Sequence, residues 1–169
     1  MNYWLFKSEP TTYGIDHLAR DKVTAWTGVR NYQARNFMRD AMQKGDRGFF
    51  HHSSCEVPGI AGIVEIGRAA YPDETQFNRK SPYYDPGATK ANPRWFNVDI
   101  KYVRKTRVVS LEELRSHKAL GEMLVLQRGS RLSITPVTDA EWECIERLLK
   151  GGARDERKPR ESGIVKRKP

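Results

Sequence analysis

Phe96-Asn97-Val98-Asp99-Ile100-Lys101-Tyr102 alternates apolar and polar side chains with a period of two. That is the pattern of a strand with one face on a core and the other towards water. Working outward, Gly59 to Ile66 is rich in branched residues and reads as a second strand. Gly48-Phe49-Phe50-His51-His52-Ser53 reads as its partner, with Pro58-Gly59 turning the chain between them. Tyr3-Trp4-Leu5-Phe6-Lys7 is a buried strand stopped by Ser8-Glu9-Pro10, and Arg131 to Val137 reads as a last one. Strands are therefore expected at 3–7, 48–53, 60–66, 96–103 and 132–135. Regular strand–helix alternation is absent, which excludes a doubly wound parallel sheet. The expected class is α+β: a curled sheet, mixed or mostly antiparallel, closed by helices.

The helices are marked at their starts. Gly14 to Arg20 predicts a short helix with Ile15 and Leu18 turned inward. Asn31 is placed to cap a helix from Tyr32 to about Met42, whose Ala34, Phe37, Met38 and Ala41 form one apolar stripe. Ser110 with Glu113, and Thr138 with Glu141, match capping boxes with flanking hydrophobic staples. Tyr71 to Pro93 holds four prolines and four aromatic residues. A long irregular segment of that kind in a compact domain is usually functional or mobile.

Composition narrows the function classes. The chain has 169 residues, enough for one domain with a sizeable core. No apolar run approaches the roughly 18 residues of a spanning helix, and Met1 to Pro10 does not resemble a secretory signal, so no membrane partner is expected. Cys55 and Cys144 lie far apart outside any paired motif, which predicts reduced thiols, no metal site and a cytoplasmic location. The net charge is +9, which points to a polyanionic partner. Five of those charges belong to residues 150–169, where eight basic residues face three acids without hydrophobic periodicity. The expected organisation is a domain over 1–149 and a basic, disordered tail over 150–169 that adds salt-sensitive affinity for nucleic acid.

No catalytic motif is present: no phosphate-cradling glycine loop, no nucleophile elbow, no paired-histidine metal helix. His51 and His52 are adjacent in a strand and point to opposite faces, so they do not share a metal. Cys55 with His52 nearby is a weak nucleophile–base candidate, because activation of a nucleophile depends on geometry that sequence does not show. Aromatic and amide groups do gather at strand ends: Lys7-Ser8-Glu9, Trp26 in a glycine turn, and Arg30-Asn31-Tyr32-Gln33 opening a helix. A nucleobase needs a flat aromatic face and hydrogen-bonding groups for its edge, and these residues supply both. From the residues alone, Trp26 as core and Asn31 as a plain helix cap are equally good readings.

Tyr3 to Pro10 and Trp26-Thr27-Gly28-Val29-Arg30-Asn31-Tyr32-Gln33-Ala34-Arg35-Asn36 resemble the two leading signatures of the EVE domain family. Further matches follow in order: Phe49-Phe50 with His52-Ser53, Pro58 to Val64, Tyr71-Pro72-Asp73 with Thr75-Gln76-Phe77, Tyr83 to Pro86, Pro93-Arg94-Trp95, and Arg131-Leu132-Ser133 with Pro136-Val137 and Glu141-Trp142. The resemblance runs over about residues 2 to 149. It implies a PUA-like fold, an incomplete mixed or antiparallel β-barrel with flanking helices, akin to YTH domains. It also implies a reader of modified bases, notably modified cytosines in DNA. Carried over by motif, the base pocket would comprise Lys7, Ser8, Glu9, Trp26, Arg30, Asn31, Tyr32, His52 and Ser53. Trp26 would stack on the base, Asn31 and Tyr32 would line the mouth, and His52 and Ser53 would close another wall. Many relatives carry an acid in place of Thr27 and a tyrosine in place of His51. The expected partner is modified DNA, with RNA or a modified nucleotide as the alternative. No cofactor, no catalytic residue and no enzymatic activity are expected, because an enzyme using Glu9 or His52 would need a second constellation that the sequence lacks.

Overall fold

A computed structural model describes residues 1–157 of the chain. Six strands form one sheet: β1 (Tyr3–Ser8), β2 (Val23–Ala25), β3 (Arg47–His52), β4 (Gly59–Pro72), β5 (Phe96–Ser110) and β6 (Ile134–Val137), in the order β2-β5-β4-β3-β1-β6. Only β1 and β3 run parallel; every other pair is antiparallel, so the sheet is mixed. The five expected strands are all present, and the alternation of 96–102 extends into a strand of 15 residues. The sixth, β2, has three residues and no internal pattern to read. It exists because β5 offers it an edge, pairing Val23 with Lys101 and Ala25 with Asp99. Pro136 sits in the other edge strand, where its missing N–H leaves no ladder position unfilled.

Alternate side chains of each strand go to opposite faces, and each face has its own cover. Trp4, Phe6, Phe50, Val64, Ile66, Val98 and Ile100 pack with Ile15, Leu18, Ala34 and Met38. Those last four come from α2 (Ile15–Asp21), α3 (Tyr32–Asn36) and the turn after α3; a four-residue helix α1 (Pro10–Tyr13) precedes them. Leu5, Phe49, Ile60 and Ile63 pack instead with Leu114 of α4 (Leu111–Arg115) and with Trp142, Ile145 and Leu149 of α5 (Asp139–Arg157). Gly62 is required by this packing: a Cβ there would stand 2.4 Å from the Ile15 side chain. The long β4–β5 pair shifts register at four places, and such bulges bend and twist a strand pair.

Three local expectations are refined. The helix expected over 32–42 is α-helical only to Asn36; Phe37–Ala41 is a π-helical turn, closed by the Met42 N–H on the Phe37 carbonyl at 2.9 Å. The capping box at Thr138 is reciprocal: its N–H reaches Glu141 at 3.0 Å and its hydroxyl accepts the Glu141 N–H at 3.1 Å. The one at Ser110 is half formed, because the Glu113 carboxylate turns to Arg107 at 2.8 and 2.7 Å rather than back to the cap. Of the basic tail expected to be disordered over 150–169, residues 150–157 instead continue α5, and residues 158–169 lie outside the described residues.

Candidate functional site

Residues from β2, one edge strand, and from the approach to β6, the other, line one cavity of about 580 Å³. Thr24 and Ala25 reach it from β2 at one end of the strand order. Ser133, which leads into β6 at the other end, reaches it from the opposite side, and its carbonyl accepts the Lys7 N–H at 2.8 Å. The curled sheet leaves a seam here, and the end of β1, α1 and the turn 26–31 fill its walls.

Trp26 is half-buried in the cavity wall. Its indole lies against Phe6 and Phe50, at 5.5 and 5.9 Å between ring centroids and interplanar angles of 73° and 83°. Edge-to-face packing of this kind fixes the plane of the ring. The two readings of Trp26 as core and as pocket wall are thus combined in one side chain. Ser8 is held rigidly: its hydroxyl donates to the Tyr13 carbonyl at 2.6 Å and its own carbonyl accepts the Ser53 N–H at 2.9 Å. Asn31 caps α3 through its side-chain oxygen on the Ala34 N–H at 2.9 Å. Its amide nitrogen, beside the cavity, has no partner among the described residues. Among the described residues, Lys7, Arg30 and Arg131 line the cavity and no carboxylate does.

Arg30 joins the cavity to the proline-rich segment. Its guanidinium donates to the Tyr83 carbonyl at 2.7 and 3.1 Å, to Thr75 Oγ1 at 3.0 Å and to Asp73 Oδ2 at 3.3 Å. Asp73 is fully buried and also accepts the Gly28 and Thr75 N–H groups, each at 2.8 Å, and the Thr75 hydroxyl at 2.5 Å. Burial pushes the Asp73 carboxyl up, but these donors outweigh it and hold the group below the usual carboxylate range. Gly28 has φ +84°, and a Cβ on it would stand 2.8 Å from the Tyr83 ring. Buried Gln76 ties the segment further, accepting the Arg94 and Trp95 N–H groups at 3.0 and 2.9 Å and donating to the Asp73 and Trp95 carbonyls. The segment is therefore a pinned wall that carries Tyr83 into the cavity lining.

Of the nine residues taken from the sequence, Lys7, Ser8, Trp26, Arg30 and Asn31 come together around the cavity. The other four do not line it. Glu9 is exposed and begins α1, its carbonyl accepting the Thr12 and Tyr13 N–H groups. Tyr32 lies outside the cavity, stacked on Trp95. His52 accepts the Ile15 N–H with Nε2 at 3.1 Å, and burial, with Lys105 nearby, lowers its pKa against the pull of Asp16. Ser53 contributes through its backbone to Ser8. Sequence reasoning missed Thr24, Tyr83, Arg131 and Ser133 as lining residues; the signals for three of them were the family-like stretches Tyr83 to Pro86 and Arg131-Leu132-Ser133, with the aromatic, proline-rich character of 71–93. Among the described residues, no three or more His, Cys, Asp or Glu side chains gather to hold a metal ion, and no helix is long and apolar enough to cross a membrane.

The model of the EVE domain family matches residues 2–148. Human thymocyte nuclear protein 1 is 44% identical, over 85% of this chain and 72% of that protein. The crystal structure of human THYN1 in complex with 5-methylcytosine-containing DNA superposes with a TM-score of 0.83 at 42% identity, covering 89% of this chain and 98% of that one. The Mmi1 YTH domain, solved with RNA, aligns with a TM-score of 0.54 at 13% identity over 92% of this chain and 81% of that one, a likeness of fold.

Proposed function

Since the chain belongs to the EVE domain family, we propose that it is a nucleic-acid binding module that takes a modified base, a modified cytosine in DNA, into the cavity at the sheet seam. The observation that carries this reading is Trp26: an aromatic ring of fixed plane in the wall of a cavity that, among the described residues, three cations and no carboxylate line. The volume lies within the ~300–1,000 Å³ of sites that enclose small molecules. A duplex buries its base faces in the stack, so a base enters such a cavity only after leaving it. Ser8, Asn31 and backbone groups then meet its edge, while Lys7 and Arg131 face the sugar–phosphate. In this reading the chain binds without reacting and needs no cofactor. The free thiols of Cys55 and Cys144 fit a cytoplasmic location.

The test is an anisotropy panel of DNA and RNA oligonucleotides, each with and without 5-methylcytosine, against the wild-type chain and Trp26→Ala. Wild type should prefer modified DNA. Loss of one stacking ring, worth about 1–3 kcal/mol, should weaken binding by about ten- to a hundredfold. Trp26 is only half-buried, so its removal should cost less stability than the ~3–5 kcal/mol of a core Trp cut to Ala. A variant that binds modified DNA as well as wild type refutes the pocket. Equal affinity for plain DNA, or preference for RNA, refutes the choice of ligand.

A further inference from the structure

We propose that Tyr32 is a second nucleobase platform, outside the cavity, that stacks on the base next to the one the cavity holds; this rests on the function proposed above. Tyr32 is 55% exposed although it carries a large aromatic ring. It is nevertheless held in place. One face lies on Trp95 at 4.8 Å between centroids and 23° between planes, and the Arg35 guanidinium sits 4.8 Å from the Tyr32 centroid. Trp95 is itself fixed, its indole N–H donating to Asp85 at 2.7 Å and its backbone N–H to Gln76. Arg35 is fixed on the Arg94 carbonyl at 3.0 Å. An exposed ring held in this way has already lost the freedom that stacking would otherwise remove.

Position ties this ring to the cavity. The Arg30 guanidinium lies 5.4 Å from the Tyr83 ring, which lines the cavity, and 5.3 Å from the Trp95 ring, which carries Tyr32. A continuous row of π faces and guanidinium groups thus leads from the cavity wall to the exposed ring. Charge selects the occupant. Arg35 forms no ion pair among the described residues, its guanidinium being held by neutral acceptors, Asn36 Oδ1 and the Arg94 carbonyl, so the platform presents an aromatic face beside a positive charge that no carboxylate neutralises. A base with its phosphate matches both, as single-strand binding surfaces use aromatic rings and arginines together.

The test compares two probes, 5-methyldeoxycytidine monophosphate and a single-stranded pentadeoxynucleotide with 5-methylcytosine at its centre. Each is titrated against wild type, Tyr32→Leu, Tyr32→Phe and Trp26→Ala. Tyr32→Leu keeps an apolar contact on Trp95 and removes the π face. It should bind the pentanucleotide about ten- to a hundredfold more weakly while binding the monophosphate as wild type does. Tyr32→Phe should match wild type on both. Trp26→Ala should lose affinity for both probes. Unchanged pentanucleotide affinity in Tyr32→Leu overturns the platform and leaves the pocket standing. Equal losses for both probes put Tyr32 at the cavity mouth and overturn it as well. Failure of wild type to bind either probe overturns the pocket and the platform together.

Discussion

Asp73→Asn is the perturbation that most directly tests how the cavity wall is built. The carboxylate is fully buried and accepts from the Gly28 N–H, the Thr75 N–H and hydroxyl, and Arg30. An asparagine keeps one acceptor oxygen and turns the other into a donor. Whichever way the amide is turned, one backbone N–H loses its acceptor in a buried site, at about 1–3 kcal/mol. Arg30, whose side chain is 22% exposed, loses its carboxylate but keeps the Tyr83 carbonyl, which holds that second loss towards the low end. The combined cost is about 3 kcal/mol. For a chain of this size that lowers Tm by about 6–12 °C. Urea unfolding at pH 7, followed by tryptophan fluorescence, measures it. The sign with pH is also fixed. Because the folded carboxyl is depressed, its stabilisation is present above the unfolded value of about 3.9 and is lost as pH falls through the folded value below that. The variant should lack this acid-side dependence and should bind modified DNA more weakly, since Arg30, which holds the Tyr83 carbonyl, loses its carboxylate anchor. A loss under about 1 kcal/mol with unchanged binding would refute the reasoning.

His51 is buried with neither ring nitrogen hydrogen-bonded, and burial, aided by the Lys7 and His52 charges, lowers its pKa to about 4. The unfolded chain takes up that proton near 6.5, so stability should fall by up to about 3 kcal/mol as pH drops from about 6.5 to about 4. His51→Leu should flatten this limb in urea melts across pH while costing nothing at pH 7; an unchanged limb in the variant assigns it to another group. Gly28→Ala forces a side chain to φ +84° and against Tyr83, and should destabilise by about 1–2 kcal/mol or more. Paired with Tyr83→Ala, the two losses should be less than additive in a double-mutant cycle of thermal melts; full additivity would mean the ring and the glycine do not touch.

Much of the fold was legible because its signals are local. The alternation of Phe96 to Tyr102, the Pro58-Gly59 turn and the Thr138 box each depend on neighbours in sequence. The missing strand, Val23–Ala25, takes its structure from β5, some seventy residues away, and has no pattern of its own. The same divide separates the site residues. Trp26, Arg30 and Asn31 sit in one turn and were legible together. Tyr83, Arg131 and Ser133 lie in stretches that resemble the family, yet what brings them to the cavity is the packing of distant segments, which their own stretches do not record. Tyr32, placed at the pocket mouth by the resemblance, lies outside the cavity lining. It follows Asn31 directly, yet as the first residue of α3 it points to Trp95.

The placement of β1 bears on how the chain is made. Of the six strands β1 leaves the ribosome before the others, yet it lies between β3 and β6, and Tyr3 pairs with both Arg47 and Val137. Contacts of such sequence separation close slowly, since loop entropy is lost before pairing compensates it. Until β6 is synthesised, β1 keeps an unpaired edge, the kind that recruits foreign strands. The first of the six strands translated is thus among the last to be enclosed, and the cavity beside it is complete only once Ser133 has been made.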